Sequence, residues 1–395
     1  MSAWLCFQLT AVSVTHAQKV PLSRDEHTAV LVSNKLIVSG GWSLDTSVQD
    51  GYLNDTWSWS LDSNHTWTQV PSKFEPTISA HTSNLVQIKG STVPYQLIFA
   101  GNPAASLGAK AEWWLQKRTT RATTAGAYFS KELYLAPTNG SAWERVVPLS
   151  AAAPPGMVRP SSIVRNGHEL IVFGGWPGPK GGNYATMLND VWRFDLHTRL
   201  WDKLQPKKHL LEGLPEKRYH HTAVWRGDAD AMVIFGGYAT VPGPRIVRYD
   251  DVWQLGFGDS ASPPEWSKVD VPRGTAPSPR MGHTAVNTGV NTPNGTAGGG
   301  FSMTIFGGND GDANLNDVHT FSCAAAECAS RGSWLQMKLT AGSDQPDGRN
   351  CAAAVLKAPG VMLIMGGETS TDTLLDVWEL VSTDNFATGT WTRLA

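Results

Sequence analysis

The chain of 395 residues alternates short apolar runs with small and polar residues, and it uses one order of elements six times. The clearest copy has an apolar run at 170–173, the doublet Gly174 and Gly175, the segment 189–192, and then Trp201. Runs of four to six residues that are rich in β-branched and aromatic types, with Gly, Pro, Asp or Asn at their ends, predict short β-strands. Each copy therefore predicts four strands, named a to d along the chain.

The copies follow one another with a period of roughly 60 to 75 residues, which is the signature of a repeat architecture. The second residue of the small doublet recurs as Gly41, Gly101, Gly175, Gly237, Gly308 and Gly367. An aromatic position in strand c recurs as Trp57, Tyr134, Trp192, Trp253, His319 and Trp378. A tryptophan in strand d closes each copy, as Trp67, Trp143, Trp201, Trp266, Trp334 and Trp391. The second copy departs most, because it has Ala100 in the doublet and Tyr134 in strand c.

These three elements recur in fixed order over residues 24–395, and together they resemble the kelch repeat. The resemblance implies an all-β fold, a six-bladed kelch-type β-propeller with four antiparallel strands in each blade. The blades are expected at about 24–70, 76–147, 156–204, 217–270, 278–339 and 348–395. Since no blade can bury both faces alone, closing the ring completes the core. The repeated tryptophans are expected to fill the wedges between blades.

Residues 1–23 allow two interpretations. Residues 4–9 could form an additional outer strand, or residues 3–17 could be a secretory signal that is cleaved after Ala17. The signal lacks a basic region, which argues against it. The segment 391–394 already supplies strand d of the last blade, so a second candidate is surplus and secretion is slightly favoured over a cytoplasmic location.

The cysteines are consistent with secretion without deciding it. Cys323 and Cys328 fall in the predicted c–d loop of the fifth blade, where they form either a small disulfide or two free thiols. Cys351 lies in a predicted strand a and is expected to be a small buried hydrophobic residue.

The net charge of −2 argues against a general nucleic-acid-binding protein, which would normally be basic. No uninterrupted apolar run of about 18 residues is present, so the sequence predicts no transmembrane helix. We expect a monomeric domain whose partner is a protein.

The b–c loops are long, at 42–52, 102–130, 176–188 and 238–249, and loops of this length in a compact domain are usually functional or disordered. In a propeller blade the d–a and b–c connections share one face, here called the b–c face, and the a–b and c–d connections share the other, the c–d face. The loop of the second blade carries Trp113, Trp114, Lys117, Arg118 and Arg121. Tryptophan beside basic residues is typical of an interface anchor. The alternative is that both tryptophans fold back onto the propeller.

Five arginines are predicted to share the position before strand a, where blade two has Ile78. They are Arg24, Arg159, Arg218, Arg280 and Arg349. Strand a lines the channel of a propeller, so these side chains are expected to surround its mouth on the b–c face. Guanidinium groups there could hold carboxylates or phosphates in bidentate fashion, which predicts an acidic or phosphorylated segment in the partner. In similar kelch domains that act as substrate receptors, some arginines at this mouth bind acidic peptides. The structural alternative, pairing with an Asp or a backbone carbonyl, is favoured for most of them.

Three residues later the sequence repeats His27, His81, His221 and His283, but metal ligands must converge on one ion, and residues of separate blades are not expected to do so. No nucleophile elbow, P-loop or His-Glu-x-x-His motif occurs. The sequence therefore predicts a non-catalytic interaction scaffold with no cofactor and no metal. The alternative is a secreted kelch-like enzyme or lectin that acts on a sugar or small acid at the channel mouth. Convergent histidine, tyrosine or carboxylate groups at the mouth would favour that alternative.

Overall fold

The computed structural model describes residues 19–395 except 49–50, 63, 72–76, 104–128, 140–142, 179–186, 209–212, 242–244, 259–261, 290–299 and 325–326. Six four-stranded antiparallel sheets make up the propeller. Blade one contains β1 (Thr28–Val32), β2 (Lys35–Ser39), β3 (Thr56–Ser60) and β4 (Trp67–Gln69). Blade two contains β6 (Thr82–Val86), β7 (Tyr95–Phe99), β9 (Leu133–Pro137) and β10 (Glu144–Val146), with the two-residue strands β5 (Ile78–Ser79) and β8 (Asn102–Pro103) paired beside it.

Blade three contains β11 (Ser161–Arg165), β12 (Glu169–Phe173), β13 (Val191–Asp195) and β14 (Leu200–Leu204). Blade four contains β15 (Thr222–Arg226), β16 (Ala231–Phe235), β19 (Val252–Gly256) and β20 (Glu265–Val269), with a hairpin of β17 (Tyr238–Val241) and β18 (Arg245–Arg248). Blade five contains β21 (Thr284–Asn287), β22 (Phe301–Asn309), β23 (Asn314–Cys323) and β24 (Ser333–Gln336). Blade six contains β26 (Ala353–Ala358), β27 (Val361–Met365), β28 (Val377–Val381) and β29 (Thr388–Arg393), and β25 (Lys338–Leu339) adds to its outer edge. A 3-10 turn, Gly227–Ala229, joins β15 to β16.

Each blade uses its four strands in chain order, so strand a is innermost and strand d is at the rim. The six a strands contact one another in sequence, and the series closes where β1 of the first blade meets β26 of the last. This arrangement confirms the predicted six-bladed fold with four antiparallel strands per blade.

The wedges between blades are filled by aromatic side chains, as the repeat predicts. The Phe that ends strand b of one blade packs against the strand d Trp of the next. The ring centroids are 5.1 Å apart for Phe99–Trp201, 5.0 Å for Phe173–Trp266, 4.6 Å for Phe235–Trp334 and 5.3 Å for Phe306–Trp391. These contacts bury apolar surface between blades, so each blade depends on its neighbours for stability.

The small doublet ends strand b because the backbone turns sharply against the next blade. Gly236 and Gly237 have φ of +67° and +87°, and the Gly237 N–H donates to the Arg280 carbonyl at 2.8 Å. A Cβ on Gly237 would lie 2.7 Å from the His221 Cβ, so a larger residue does not fit.

A second layer of pairing extends each blade on the b–c face. The residue after the doublet pairs with a residue just before strand a, as in Asp25–Trp42, Val158–Trp176 and Tyr219–Tyr238. In blade two this pairing is β5 with β8, and in blade four it grows into the β17–β18 hairpin. Backbone pairs outside the four-stranded sheets therefore add a layer of structure around the channel on the b–c face.

Candidate functional site

Four of the arginines before strand a are buried inside the blades, with at most 1% of their surface exposed: Arg24, Arg218, Arg280 and Arg349. Arg218 represents them. Its Nη1 and Nη2 donate to the two carboxylate oxygens of Asp251 at 2.6 and 2.9 Å, and Nη1 also donates to the Gly236 carbonyl at 3.0 Å. The same carboxylate accepts the indole N–H of Trp253 at 2.8 Å. The other three arginines pair in the same way with Asp55, Asp317 and Asp376.

This burial corrects the expectation that these four guanidinium groups face a partner. Each one joins the start of strand a to the doublet and to strand c of its own blade, so its hydrogen-bonding groups are used inside the fold. The aspartate before strand c, such as Asp251, accepts hydrogen bonds from the arginine and from the indole two residues later. Burial alone would raise the pKa of Asp251, but the hydrogen bonds and charge of Arg218 outweigh it, and the pKa is lowered.

Arg159 does not belong to this set. The Gly101 N–H donates to the Met157 carbonyl at 2.9 Å, as the Gly175 N–H donates to the Arg218 carbonyl at 2.9 Å. Met157 is therefore the counterpart of Arg218, and Arg159 lies two residues later. The sequence alignment was wrong by two residues because blade three starts its strand a with Ser161 and lacks the preceding histidine.

Arg159 instead occupies a ring of equivalent residues around the channel, here called the channel ring: Glu26, Ala80, Arg159, His220, Gly282 and Cys351. All six have a left-handed backbone, with φ between 51° and 65°. Each of the last five donates its backbone N–H to the carbonyl of the ring member before it, at 2.8 to 3.2 Å. The channel ring is thus held by the backbone, while its side chains differ in every blade.

The channel ring and the residues that follow it line a cavity of about 150 Å³. Four side chains of the channel ring carry reactive or charged groups that line this cavity. Arg159 forms an ion pair with Glu26, and the Cys351 Sγ lies 3.9 Å from the His220 Nε2. The Cys351 thiol also donates to the Asn350 Oδ1 at 2.8 Å. A carboxylate, a guanidinium, an imidazole and a thiol therefore meet at the axis, which the sequence analysis did not detect.

Polar and aromatic groups surround this cavity on the b–c face. Asp25 is buried, and burial together with the nearby Glu368 raises the pKa of its carboxyl well above the usual range. Elsewhere around the cavity, the Tyr219 hydroxyl donates a hydrogen bond to the Tyr238 hydroxyl. Burial raises the pKa of Tyr238 to about 12. Trp176 packs beside Tyr219 with ring centroids 6.0 Å apart.

The four repeated histidines point between blades and not into a common site. The ring Nε2 atoms of His81, His221 and His283 lie 2.8, 2.6 and 2.8 Å from hydroxyls of Thr28, Ser161 and Thr222 in the preceding blade. Burial lowers the pKa of His27, His81 and His283 to about 3 and that of His221 well below its usual range. The side chains of His81, His221 and His283 are therefore neutral links between neighbouring a strands.

Two loop assignments have different outcomes. Trp113, Trp114, Lys117, Arg118 and Arg121 lie outside the described residues, so their role stays a prediction. The Cys323 and Cys328 sulfurs lie within bonding distance, with Cα atoms 4.9 Å apart.

The β17–β18 hairpin projects apolar surface from the b–c face. Ile246 and Val247 on β18 are 52% and 36% exposed, and the exposed Arg245 precedes them. Arg248 ends the strand against blade five, where a Cβ on Gly311 would lie 2.5 Å from its guanidinium. Sequence reasoning missed this strip because it treated 238–249 as a loop.

Comparison with known proteins agrees with this architecture. Residues 121–292 match the model of the KLHDC2/KLHL20/DRC7 Kelch-repeats domain. The chain is 28% identical over 282 residues to the leucine-zipper-like transcriptional regulator 1 homolog of Drosophila melanogaster, covering 70% of this chain and 24% of that protein. It is 24% identical over 306 residues to kelch domain-containing protein 10 of Rattus norvegicus, covering 68% and 69%.

A solved structure, described as the structure of YjhT, superimposes with a TM-score of 0.60 at 16% identity, covering 95% of this chain and 98% of that one. This similarity supports the fold alone. The chain spans at most 34% of the length of several curated relatives, the Drosophila protein among them. The fold and its repeated motif define a class, the six-bladed propellers with a doublet-and-tryptophan repeat. The family model over residues 121–292 and the kelch domain-containing relative support a kelch-repeat β-propeller family for this chain. Among the residues that the structure describes, no helix is long and apolar enough to span a membrane.

Proposed function

We propose that this propeller is a non-catalytic interaction scaffold that binds a protein partner on its b–c face. The observation that carries the proposal is the β17–β18 hairpin, which presents Ile246 and Val247 to solvent beside Arg245. The buried core of a protein interface is more apolar than the rest of the surface and is enriched in arginine, which agrees with exposed aliphatic side chains next to Arg245. The kelch relatives of interaction type support the same general role.

The partner segment is acidic or phosphorylated in this proposal. The guanidinium of Arg245 and the sequence-predicted cations Lys117, Arg118 and Arg121 would all serve the b–c face. A local positive patch on a chain of net charge −2 attracts anionic groups, and its attraction weakens as salt rises. Trp113 and Trp114 are proposed as the apolar anchors of the same interface.

The test compares two pairs of exposed aliphatic residues on opposite faces. Ile246→Ser with Val247→Ser alters the b–c face, and Leu200→Ser with Val381→Ser alters the c–d face, where Leu200 and Val381 are 41% and 39% exposed. Wild-type protein is first used to capture and identify partners from the native source. Each purified partner is then tested for its affinity to the wild type and to both double variants. The first pair should weaken binding at least tenfold, and the second should change it little.

Equal affinities for the two double variants would contradict the b–c face as the interface. Phosphatase treatment of the partner tests the anionic segment separately. If binding survives that treatment and does not fall with added salt, the partner is bound by apolar contacts alone.

The channel cavity favours a second candidate, a kelch-like enzyme or lectin that acts on a sugar or small acid. Its support is the convergence of Glu26, Arg159, His220 and Cys351, since groups of these types bind polar ligands and transfer protons. Isothermal titration with a panel of monosaccharides and small carboxylic acids tests it. Heat signals that disappear in Arg159→Ala would favour this candidate, and no signal from any member would count against it.

A further inference from the structure

We propose that the channel ring binds one divalent transition-metal ion, Zn²⁺ by the chemistry of its donors, through Glu26, His220 and Cys351. One carboxylate oxygen, one imidazole nitrogen and the sulfur all lie within 4.8 Å of one another. The site goes beyond the proposed scaffold function and does not depend on partner binding.

The fold explains why residues of three separate blades converge here. Members of the channel ring share a left-handed backbone and are linked by their N–H and carbonyl groups, which holds their Cα atoms close to the axis. The histidines one position later, such as His221, point between blades instead. Side chains of the channel ring, such as His220, therefore meet in the channel, whereas those of the next residue, such as His221, cannot meet.

The donor set selects the kind of ion. Thiolate and imidazole ligands suit Zn²⁺ and related transition metals, whereas Ca²⁺ and Mg²⁺ require oxygen ligands. A zinc ion bonds sulfur at about 2.3 Å and nitrogen at about 2.0 Å in a tetrahedral arrangement. Three protein ligands would leave the fourth position to a water molecule or a small ligand in the cavity.

A second donor set lies beside the first and shares its sulfur. Asp25, Cys351 and Glu368 also bring ligand atoms within 4.8 Å of one another. Asp25 is 3% exposed, and its carboxyl group lies beside that of Glu368. Two carboxylates that are held together in a buried place repel each other when both are charged, and a cation between them would relieve that repulsion.

The charges around the channel agree with a dication. Of the three proposed ligands, Glu26 and a Cys351 thiolate would supply negative charge to the ion, and Arg159 is the positive group that pairs with Glu26. Arg159 contacts one oxygen of that carboxylate, so it can orient Glu26 while the second oxygen binds the ion. Carboxylate ligands are commonly held by such outer hydrogen bonds.

The experiment uses Co²⁺ as a coloured substitute for Zn²⁺. Metal-free full-length protein is titrated with Co²⁺, and one equivalent should produce the near-ultraviolet charge-transfer band of a cobalt–thiolate bond. Zn²⁺ should displace it and remove the band. Cys351→Ser should abolish the band, and His220→Ala should weaken Co²⁺ binding at least tenfold, as loss of an important group at a metal site does.

Matched controls exclude the other candidate donors. His197→Ala disrupts a third set of converging ligands, which lies near the surface and consists of His168, Asp195 and His197. Cys6→Ser removes the remaining thiol outside the 323–328 pair. Neither variant should change the band. Absence of the band from wild-type protein, or its survival in Cys351→Ser, would overturn the proposal.

A measurement on unaltered protein guards against misfolding of the variants. The rate at which Cys351 is alkylated, followed by peptide mass spectrometry, should fall at least tenfold when one equivalent of Zn²⁺ is added and recover with chelator. An equal rate with and without Zn²⁺ would also overturn the site.

Discussion

At the scale of single residues, the repeated Arg–Asp pair stabilises each blade from inside. Arg218→Ala would leave the partly buried Asp251 carboxylate with one indole donor and without its guanidinium partner. Removing one partner of a buried ion pair typically costs about 3 to 5 kcal/mol. Urea denaturation should show a loss of that size for Arg218→Ala.

The control for that prediction is Arg145→Ala. Arg145 is 59% exposed and pairs with Glu132 at the surface, so its removal should cost less than about 1 kcal/mol. If both variants lose the same stability, Arg218 does not have the structural role described here.

The buried histidines predict acid sensitivity. The pKa of His283 is lowered to about 3 by burial and by Arg280, whereas an unfolded histidine titrates near 6.5. Below pH 6.5 the unfolded chain binds more protons, so stability falls as the pH decreases from 6.5 towards 3. The slope is at most about 1.4 kcal/mol per pH unit for each histidine.

Urea midpoints at pH 7.5 and pH 5 check this, with His283→Gln as the comparison. The variant should lose less stability between the two pH values than the wild type does. Since all other titrating groups, Asp25 included, are present in both proteins, the difference belongs to His283. Identical pH dependence in the two proteins would contradict a neutral buried histidine.

At the scale of elements, the aromatic residue in strand c of blade three, Trp192, belongs to the wedge between blades two and three. Trp192 is 7% exposed and packs in one cluster with Trp201 and Phe194. Trp192→Ala should cost about 3 to 5 kcal/mol, as for other large buried aromatic residues. The exposed Leu200→Ala on the neighbouring strand is the control and should change the urea midpoint little.

The elements are also where the sequence was most informative. The apolar run 170–173 predicted strand b of blade three, and the observed strand is Glu169–Phe173, because apolar runs between turn residues carry a strong β signal. Arg159 was assigned to the wrong set because a local motif shifts by two residues when one histidine is absent. The channel ring could not be predicted, since Glu26, Gly282 and Cys351 share a backbone conformation and no residue type.

At the scale of the whole molecule, the ring closes within the described part of the chain. The six four-stranded sheets use strands between Thr28 and Arg393, and β1 contacts β26. Removing residues 1–17 should therefore leave the melting temperature nearly unchanged. A fall of many degrees on thermal denaturation would show that the segment 4–9 is a working outer strand.

The whole molecule also separates its two proposed sites. The metal would lie on the axis, and the partner would bind the rim of the b–c face around the β17–β18 hairpin. Loss of Co²⁺ binding in Cys351→Ser with unchanged partner affinity would show that the two are independent.

Hydrogen exchange measured with and without the purified partner tests whether the partner binds the b–c face. Binding there should slow amide exchange in β17 and β18 and in the neighbouring b–c connections. The a–b and c–d connections, such as the turn 196–199 before β14, should exchange at the same rate in both states. Slowed exchange confined to those c–d face segments would contradict the proposed interface.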